Sequence, residues 1–543
     1  MTPSDAIERA GNGLRRLQEP DGRFEGVLTS NAYPTLACMV VELLRNRPLD
    51  AGYRRWLRES RLPDGRYPLD PERQPSDEAT RFARAILTTL ASDGDLDAAA
   101  LLADTPDTGW RLWLVTVLGA LLRQYDWNQI PPPRSAEVAG RIAGALLPIL
   151  PKTLIRRIKP PDNIAPPVSL FEQKAFARLF VAEQYTLAPM LFLIEAHTRK
   201  RPPVLRNLVS WILARQAVDG SWFCVTFITA LAALALIVAS DVVPEERTAL
   251  PLARALEWLY GTRNDDGGHR EAVSLNVWDT SLAVLSLLAS GVPANDMTIL
   301  RATDWLVETQ NRDGGWAFHG LRGPGLPSDA DDTALATRAL LETSTHTVAA
   351  ERGVSWLRSH QAKDGSWSTY RPGAGDIGCV SVTAHAMETM LVVGDVGSVR
   401  RACRWLVKTQ SADGSWDDLW LARRVYGTSC ALIALARSGG RPQAISRGVS
   451  WLRRARNPDG GWGETQRGIP APSTAEQTAF AVHALRSCGE HVEDGVRWLV
   501  ERQRADGGWE PSPVGIYWEV IGGYANPINA WVFPILALCA VSS

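Results

Sequence analysis

Apolar positions in this chain come in segments of helical length that recur at a fixed interval. Thr333 to Leu341, Val382 to Val392, Thr428 to Leu435 and Thr478 to Leu485 are predominantly apolar, which predicts inner, buried helices. Ser398 to Gln410 and Gln443 to Arg456 carry more charge and read as outer helices. A repeated signature joins them: an aromatic residue near the end of one helix is followed eleven residues later by an aromatic that closes a Gln-x-x-Asp-Gly-x-Trp turn. The series runs Trp211 to Trp222, Trp305 to Trp316, Trp356 to Trp367, Trp405 to Trp416, Trp451 to Trp462 and Trp498 to Trp509, with weaker copies at Trp56 to Tyr67 and Trp258 to His269. Asp-Gly ends a helix by permitting a positive φ, and the closing Trp is expected to stack at the outer surface in a structural role. In the second half the copies recur every 46 to 51 residues, a period that suits two helices and two loops. A chain of such hairpins closes most simply into a double ring, an αα-barrel whose inner helices surround a cavity. Period-two alternation is almost absent, so strands are expected to be minor and the fold all-α.

At 543 residues the chain is too long for one ordinary core, which implies two large domains. The repeats part around Pro131 to Pro167, where Pro131-Pro132-Pro133, Pro160-Pro161 and Pro166-Pro167 interrupt helices. The expected organisation is one αα-barrel over residues 18–274 and a second over 275–543, completed by a helix from residues 1–17. Val225 to Val243 is the longest apolar stretch, but it contains Thr226, Thr229, Ser240 and Asp241 and falls in register with the repeat. It therefore reads as a buried barrel helix rather than a membrane span. Basic and acidic residues balance at 58 against 59, which removes the electrostatic reason to expect nucleic acid as a partner. Seven cysteines without a CxxC pair argue against a disulfide framework and a zinc site, and Met1 to Arg16 does not read as a secretory signal. A cytoplasmic location fits; peripheral membrane contact stays open.

Candidate chemistry concentrates in Ser328-Asp329-Ala330-Asp331-Asp332-Thr333-Ala334, three carboxylates within four positions. Carboxylates this close repel one another when ionised, so in a site shielded from water at least one keeps its proton at neutral pH. The same residues also suit a helix N-terminus, with Ser328 or Asp329 as the cap and Asp332 in the first turn. Together with the repeats, Asp329-Ala330-Asp331-Asp332-Thr333-Ala334 resembles the class II terpene cyclases, the group of the squalene-hopene cyclases and bacterial diterpene cyclases. Its DxDDTA signature matches theirs without a mismatch, and its turns look like their QW repeats. Ser381-Val382-Thr383-Ala384-His385 is similar to the hopene-cyclase segment whose His bonds the catalytic acid, although an Asp stands there where this chain has Ser381. Val277-Trp278-Asp279-Thr280 and Trp420 through Tyr426-Gly427-Thr428 resemble segments that give the cavity aromatic faces, and Val532-Phe533-Pro534 resembles the closing helix. The aromatic run that hopene cyclases place before that helix is replaced by Gly522-Gly523-Tyr524-Ala525-Asn526-Pro527-Ile528-Asn529, with amides, which points to fewer rings and a smaller substrate.

The resemblance implies a two-domain βγ architecture with the active site in the β barrel, and cyclisation started by protonation. Asp331 would be the proton donor, Asp329 and Asp332 its supporting carboxylates, and His385 the group that orients its proton; alone, His385 also reads as a core histidine. Trp278, Phe318, Trp420 and Tyr426 are candidates for facing cationic intermediates, at ~0.5 to 2 kcal/mol each, with core packing the alternative for each. Asp417-Asp418-Leu419-Trp420-Leu421 fails the class I DDxxD pattern at its last position, which leaves protonation as the only initiation. A diphosphate would need arginines or Mg²⁺ with a few carboxylates; Arg322 is the binding candidate, with Arg423 and Arg424 beside it, and each also reads as a solvated arginine. No ligand spacing identifies a metal site, and no organic cofactor is expected. The expected activity is that of an intramolecular isomerase or lyase converting geranylgeranyl diphosphate to a bicyclic labdane or copalyl-type diphosphate, followed by a downstream class I terpene synthase. Farnesyl diphosphate, a prenylated aromatic acid and squalene are alternative substrates, and a non-catalytic helical-repeat binding scaffold is the alternative outside enzymology.

Overall fold

A computed structural model describes residues 2–540 except 71, 107–112, 131–164, 173, 175, 322, 324, 371–376 and 518–521. The chain divides into two compact units, Met1–Leu28 with Ser274–Ser543, and Thr29–Val273. The expected boundaries, 17/18 and 274/275, compare with 28/29 and 273/274. Residues 18–28 go with the first unit because Phe24 N and Gly26 N each donate at 2.9 Å, to Thr280 Oγ1 and Asp279 Oδ2. Most of the proline-rich interval lies outside the described residues.

In the first unit the helices Asn276–Ala289, Ala330–Thr343, Val380–Val392, Arg423–Arg437, Ala475–Ser487 and Asn529–Cys539 pack each on the next, and the last returns to the first. This inner ring is buried nearly all round; Ala330 to Thr337 is buried without a break. Met297–Glu308, Thr347–His360, Val396–Thr409, Pro442–Ala455 and Glu493–Glu501 each lie outside the inner helix that precedes them. Their burial is one-sided, as Val399, Ala402, Cys403 and Leu406 in Val396–Thr409 illustrate with their i, i+3, i+4, i+7 spacing. Pro3–Arg15 packs on Asn529–Cys539 and takes the remaining outer place.

The repeated turn locks each outer helix to the elements around it. Gln410 Nε2 donates to Gly414 O at 2.9 Å and to Ala444 O at 3.0 Å, at the start of the next outer helix. The Trp416 indole donates to Leu406 O at 2.7 Å and its backbone N to Thr428 Oγ1 at 2.9 Å. Against expectation, the closing tryptophans do not stack at the outer surface: Trp316, Trp367, Trp416, Trp462 and Trp509 are at most 1% exposed. Three of these rings lie over a glycine of an outer helix. A Cβ on Gly448 would come 2.9 Å from the Trp416 ring, and one on Gly353 or Gly495 3.0 Å from Trp316 or Trp462.

The second unit repeats the principle with Ala32–Leu44, Asp77–Ser92, Trp113–Leu121, Val181–His197 and Thr226–Val242 in contact around a ring. Leu96–Ala103, Pro202–Leu213 and Ala249–Gly261 lie on Asp77–Ser92, Val181–His197 and Thr226–Val242. The long apolar stretch is thus a barrel helix, buried from Thr226 to Leu236, and no described helix is long and apolar enough to cross a membrane. Described strands are two-residue antiparallel pairs: Ser30–Asn31 with His269–Arg270, Tyr67–Pro68 with Pro75–Ser76, and Gly515–Ile516 with Gly523–Tyr524.

Candidate active site

Asp329 caps the helix Ala330–Thr343: its backbone is extended, and its Oδ1 accepts from Asp331 N at 3.1 Å and Asp332 N at 2.9 Å. Capping and acid chemistry therefore fall to different members of one motif. With Asp329 holding the first turn, the Asp331 side chain is turned toward the next inner helix, where His385 Nδ1 lies 2.6 Å from Asp331 Oδ1. Asp331 is 7% exposed. The far nitrogen of His385, Nε2, is 3.9 Å from Cys430 Sγ on the helix after that.

A cluster of aromatic rings adjoins His385. Trp278 and Tyr426 stand 6.0 and 6.5 Å from the His385 ring, centroid to centroid. Phe480 packs 4.7 Å from Tyr426, and Phe533 lies 4.6 Å from Phe480 and 6.3 Å from Trp278. The Trp278 indole donates to Asn529 Oδ1 at 3.1 Å, which fixes the ring's tilt. Four inner helices thus contribute an aromatic each, packed on one another in tilted or edge-on contact.

Burial sets the proton inventory. It pushes Asp329 up to about 8 and Asp332 well above the carboxylate range, and each neighbouring acid adds to the effect on Asp332. Asp332 keeps its proton and bonds the Asp329 carboxyl, and Asp329 Oδ2 and Asp332 Oδ1 meet no other donor. Asp279, buried among Gly26 N and Asn526 Nδ2, is pushed up to about 8 by burial as well. His385 moves the other way from a bare buried imidazole. Burial disfavours its cation, but the adjoining Asp331 carboxyl outweighs this and holds His385 above its ordinary value. One turn along the same helix, Glu388 bridges Arg338 at 2.8 Å and Arg437. Burial opposes its charge, yet the two guanidiniums bring it down to about 2.

The remaining sequence candidates fall in three places. Trp420 acts at one remove: its indole donates to Thr369 Oγ1 at 3.0 Å, and Thr369 O accepts from Ala330 N at 2.7 Å, so it braces the start of the acid's helix. Phe318 is half-buried in the loop before that helix, where its carbonyl accepts from Val277 N at 3.3 Å. Arg322 lies outside the described residues. Arg423 is bonded to Asp417, and Arg424 stands 3.8 Å from Asp413. Among the described residues no group of three or more His, Cys, Asp or Glu side chains could hold a metal ion. Phe480, Cys430 and Glu388 were not among the sequence candidates. Phe480 carried a signal nonetheless, as the one aromatic in the small-residue run from Ala475 to Leu485.

Residues 275–376 and 372–538 match the squalene-hopene cyclase C-terminal domain, and 192–323 the prenyltransferase alpha-alpha toroid domain. The chain is 29% identical to the squalene-hopene cyclase of Alicyclobacillus acidocaldarius over 523 residues, 80% of this chain and 78% of that protein. It is 30% identical to the copalyl diphosphate synthase of Streptomyces cyslabdanicus over 243 residues, 42% of this chain and 41% of that one. The structure of ent-copalyl diphosphate synthase from Streptomyces platensis shares the fold, with a TM-score of 0.61 at 22% identity over 98% of this chain and 99% of that one. With the matched domain spanning the helices that bring Asp331 and His385 together, the chain belongs to the class II terpene cyclases, the superfamily of the squalene-hopene cyclases.

Proposed function

We propose that this enzyme cyclises geranylgeranyl diphosphate to a bicyclic labdane or copalyl-type diphosphate, with Asp331 as the acid and the diphosphate retained. The observation that carries the reading is the 2.6 Å contact between His385 and Asp331 inside a shell of four aromatic rings. A carboxyl that accepts a hydrogen bond from an imidazolium at one oxygen gives up the proton on its other oxygen more readily. The same cation then stabilises the carboxylate left behind. Asp331 transfers that proton to the terminal alkene, the tertiary cation formed is attacked by the next double bond, and a second attack closes the second ring. Trp278, Tyr426, Phe480 and Phe533 face the moving charge without a lone pair basic enough to end the reaction early. Loss of a proton, or capture of water, completes the balance: one proton enters and one leaves. Asp332 and Asp329, kept protonated by burial, stand beside Asp331 as the proton store from which it is restored.

The amides of Gly522 to Asn529, where hopene cyclases carry aromatics, favour a product with few rings, and relatives named as copalyl diphosphate synthases favour a diphosphate. Mg²⁺ would arrive on that diphosphate, with Arg322 as a further contact. A cytoplasmic location and a class I terpene synthase acting on the product belong to the same proposal. Incubation with geranylgeranyl diphosphate, followed by dephosphorylation and mass spectrometry, should give a bicyclic alcohol from the wild type and none from Asp331→Asn. Equal yields from the two proteins would overturn the assignment, and turnover of farnesyl diphosphate or squalene alone would change the substrate.

A further inference from the structure

The helix that carries His385, Val380–Val392, begins without a cap of its own: Cys379 occupies the cap position and makes no side-chain capping bond. Its first turn is nevertheless anchored. Asp418, from the loop before Arg423–Arg437, is 1% exposed; its Oδ2 accepts from Ser381 N at 2.9 Å and from the Cys379 thiol at 3.3 Å. Its Oδ1 accepts from Trp420 N at 3.0 Å. A carboxylate in this place meets both the unsatisfied N–H groups and the positive end of the helix. His385 follows Ser381 by four residues, about one turn along the same face, so whatever fixes Ser381 fixes the reach of His385 toward Asp331. The neighbouring Asp417 is differently employed: its side chain is 51% exposed and paired with Arg423.

We infer that Asp418 is a positioning residue for the acid pair, a buried carboxylate delivered from a neighbouring turn to the place where hopene cyclases carry one at the position of Ser381. The inference rests on the reading of Asp331 and His385 given above. His385 is also faced by Asp331 and Arg338 from the acid's helix, by Glu388 from its own, and by Tyr426 and Cys430 from the next. All of these stay in place when Asp418 is changed. Only the anchor of the first turn is lost, and with it the short contact on which proton donation depends.

Three variants test this: Asp418→Asn, Asp417→Asn, and Asp418→Asn combined with Ser381→Asp. An amide keeps one acceptor oxygen but sets N–H groups against the donors of the other, so Asp418→Asn should lower kcat by about tenfold to a hundredfold with KM within about twofold. Asp417→Asn should stay within about twofold of wild type, and the added Ser381→Asp should restore most of the loss by returning a carboxylate to the same helix end. The second readout needs no substrate. In ¹⁵N imidazole spectra, the His385 midpoint should fall by about half a pH unit or more in Asp418→Asn, because a looser Asp331 no longer supports the cation. An unchanged midpoint and kcat, or a loss of thermal stability alone, overturns the inference. Should wild type make no cyclised diphosphate, the proposed function fails by itself, and the imidazole midpoint still decides the role of Asp418. Should Asp418→Asn fail to fold, the combined variant decides: a wild-type midpoint supports the inference and a lowered one overturns it.

Discussion

Asp331 and His385 split one task, since a carboxyl strong enough to protonate an alkene needs a neighbour that favours its anion. His385 supplies that neighbour only while it carries charge, and Asp331 holds its titration above the ordinary imidazole value. The sign follows: the imidazolium is present below this raised value and is lost as pH climbs through it, so wild-type kcat should decline on the alkaline side. His385→Asn should lose about 10² to 10³ in kcat at the optimum and lack that alkaline decline, as a kcat profile from about pH 5 to 9 will report. An alkaline limb surviving intact in His385→Asn would assign the titration to another group. The two roles within the acidic motif also separate. Asp329→Asn keeps an oxygen to cap Asp331 N and Asp332 N, whereas Asp329→Ala gives up the cap at about 1 kcal/mol. Both remove the partner of the Asp332 proton, so both should slow turnover, and only the alanine variant should also lower the unfolding midpoint. Asp331 and His385 could be named as candidates from the sequence because each stands in its own short motif, although the two are 54 residues apart. Phe480, Cys430 and Glu388 become partners only when helices some 50 residues apart close into a ring, a relation no local pattern carries.

The helical hairpin was the most legible element, because its period is long and its turn is marked by Asp-Gly. The direction of the closing tryptophan was not. An indole in a turn reads as a surface feature, but Trp416 reaches back to Leu406 O and lies over Gly448, a glycine in an outer helix whose reason is visible only in three dimensions. Gly365 illustrates how tightly these turns are held. Its φ is +100°, and a Cβ there would lie 2.4 Å from Arg401 O on the following outer helix. Gly365→Ala should therefore cost about 1 to 3 kcal/mol through strain and contact together. Chemical denaturation should show an earlier midpoint, while kcat per folded molecule stays unchanged because the turn lies outside the aromatic shell. A kcat loss without a stability loss would give the turn a catalytic part that its geometry does not contain.

At the scale of the molecule, two barrels and a returning N-terminal helix were legible from repeat counting, but not the placement of residues 18–28. Those residues carry the repeat's turn in their sequence, yet their bonds to Asp279 and Thr280 tie them to the barrel that begins 250 residues later. Burial inside that barrel also shapes how the whole molecule responds to pH. Asp279 and Asp329 are pushed up to about 8 and Glu476 to about 7, in each case first by burial, whereas in the unfolded chain such groups titrate near 4. The folded state binds these protons more tightly, so the stability they contribute is whole below about pH 4 and drains away as pH rises through 7 and 8. Glu388 runs in the opposite sense. Burial works against its charge, but Arg437 and Arg338 hold it at about 2, so its contribution is full above about pH 4.5 and is lost as pH falls toward 2. Taken together, these two slopes place the maximum near pH 4 to 5. Scanning calorimetry should show Tm declining from about pH 6 to 8, and Glu388→Gln should flatten the acid limb while leaving the alkaline one in place. A Tm that rises between about pH 6 and 8 would mean that the carboxyls around Asp331 are ionised in the folded protein, and a site without a retained proton has no acid to offer an alkene.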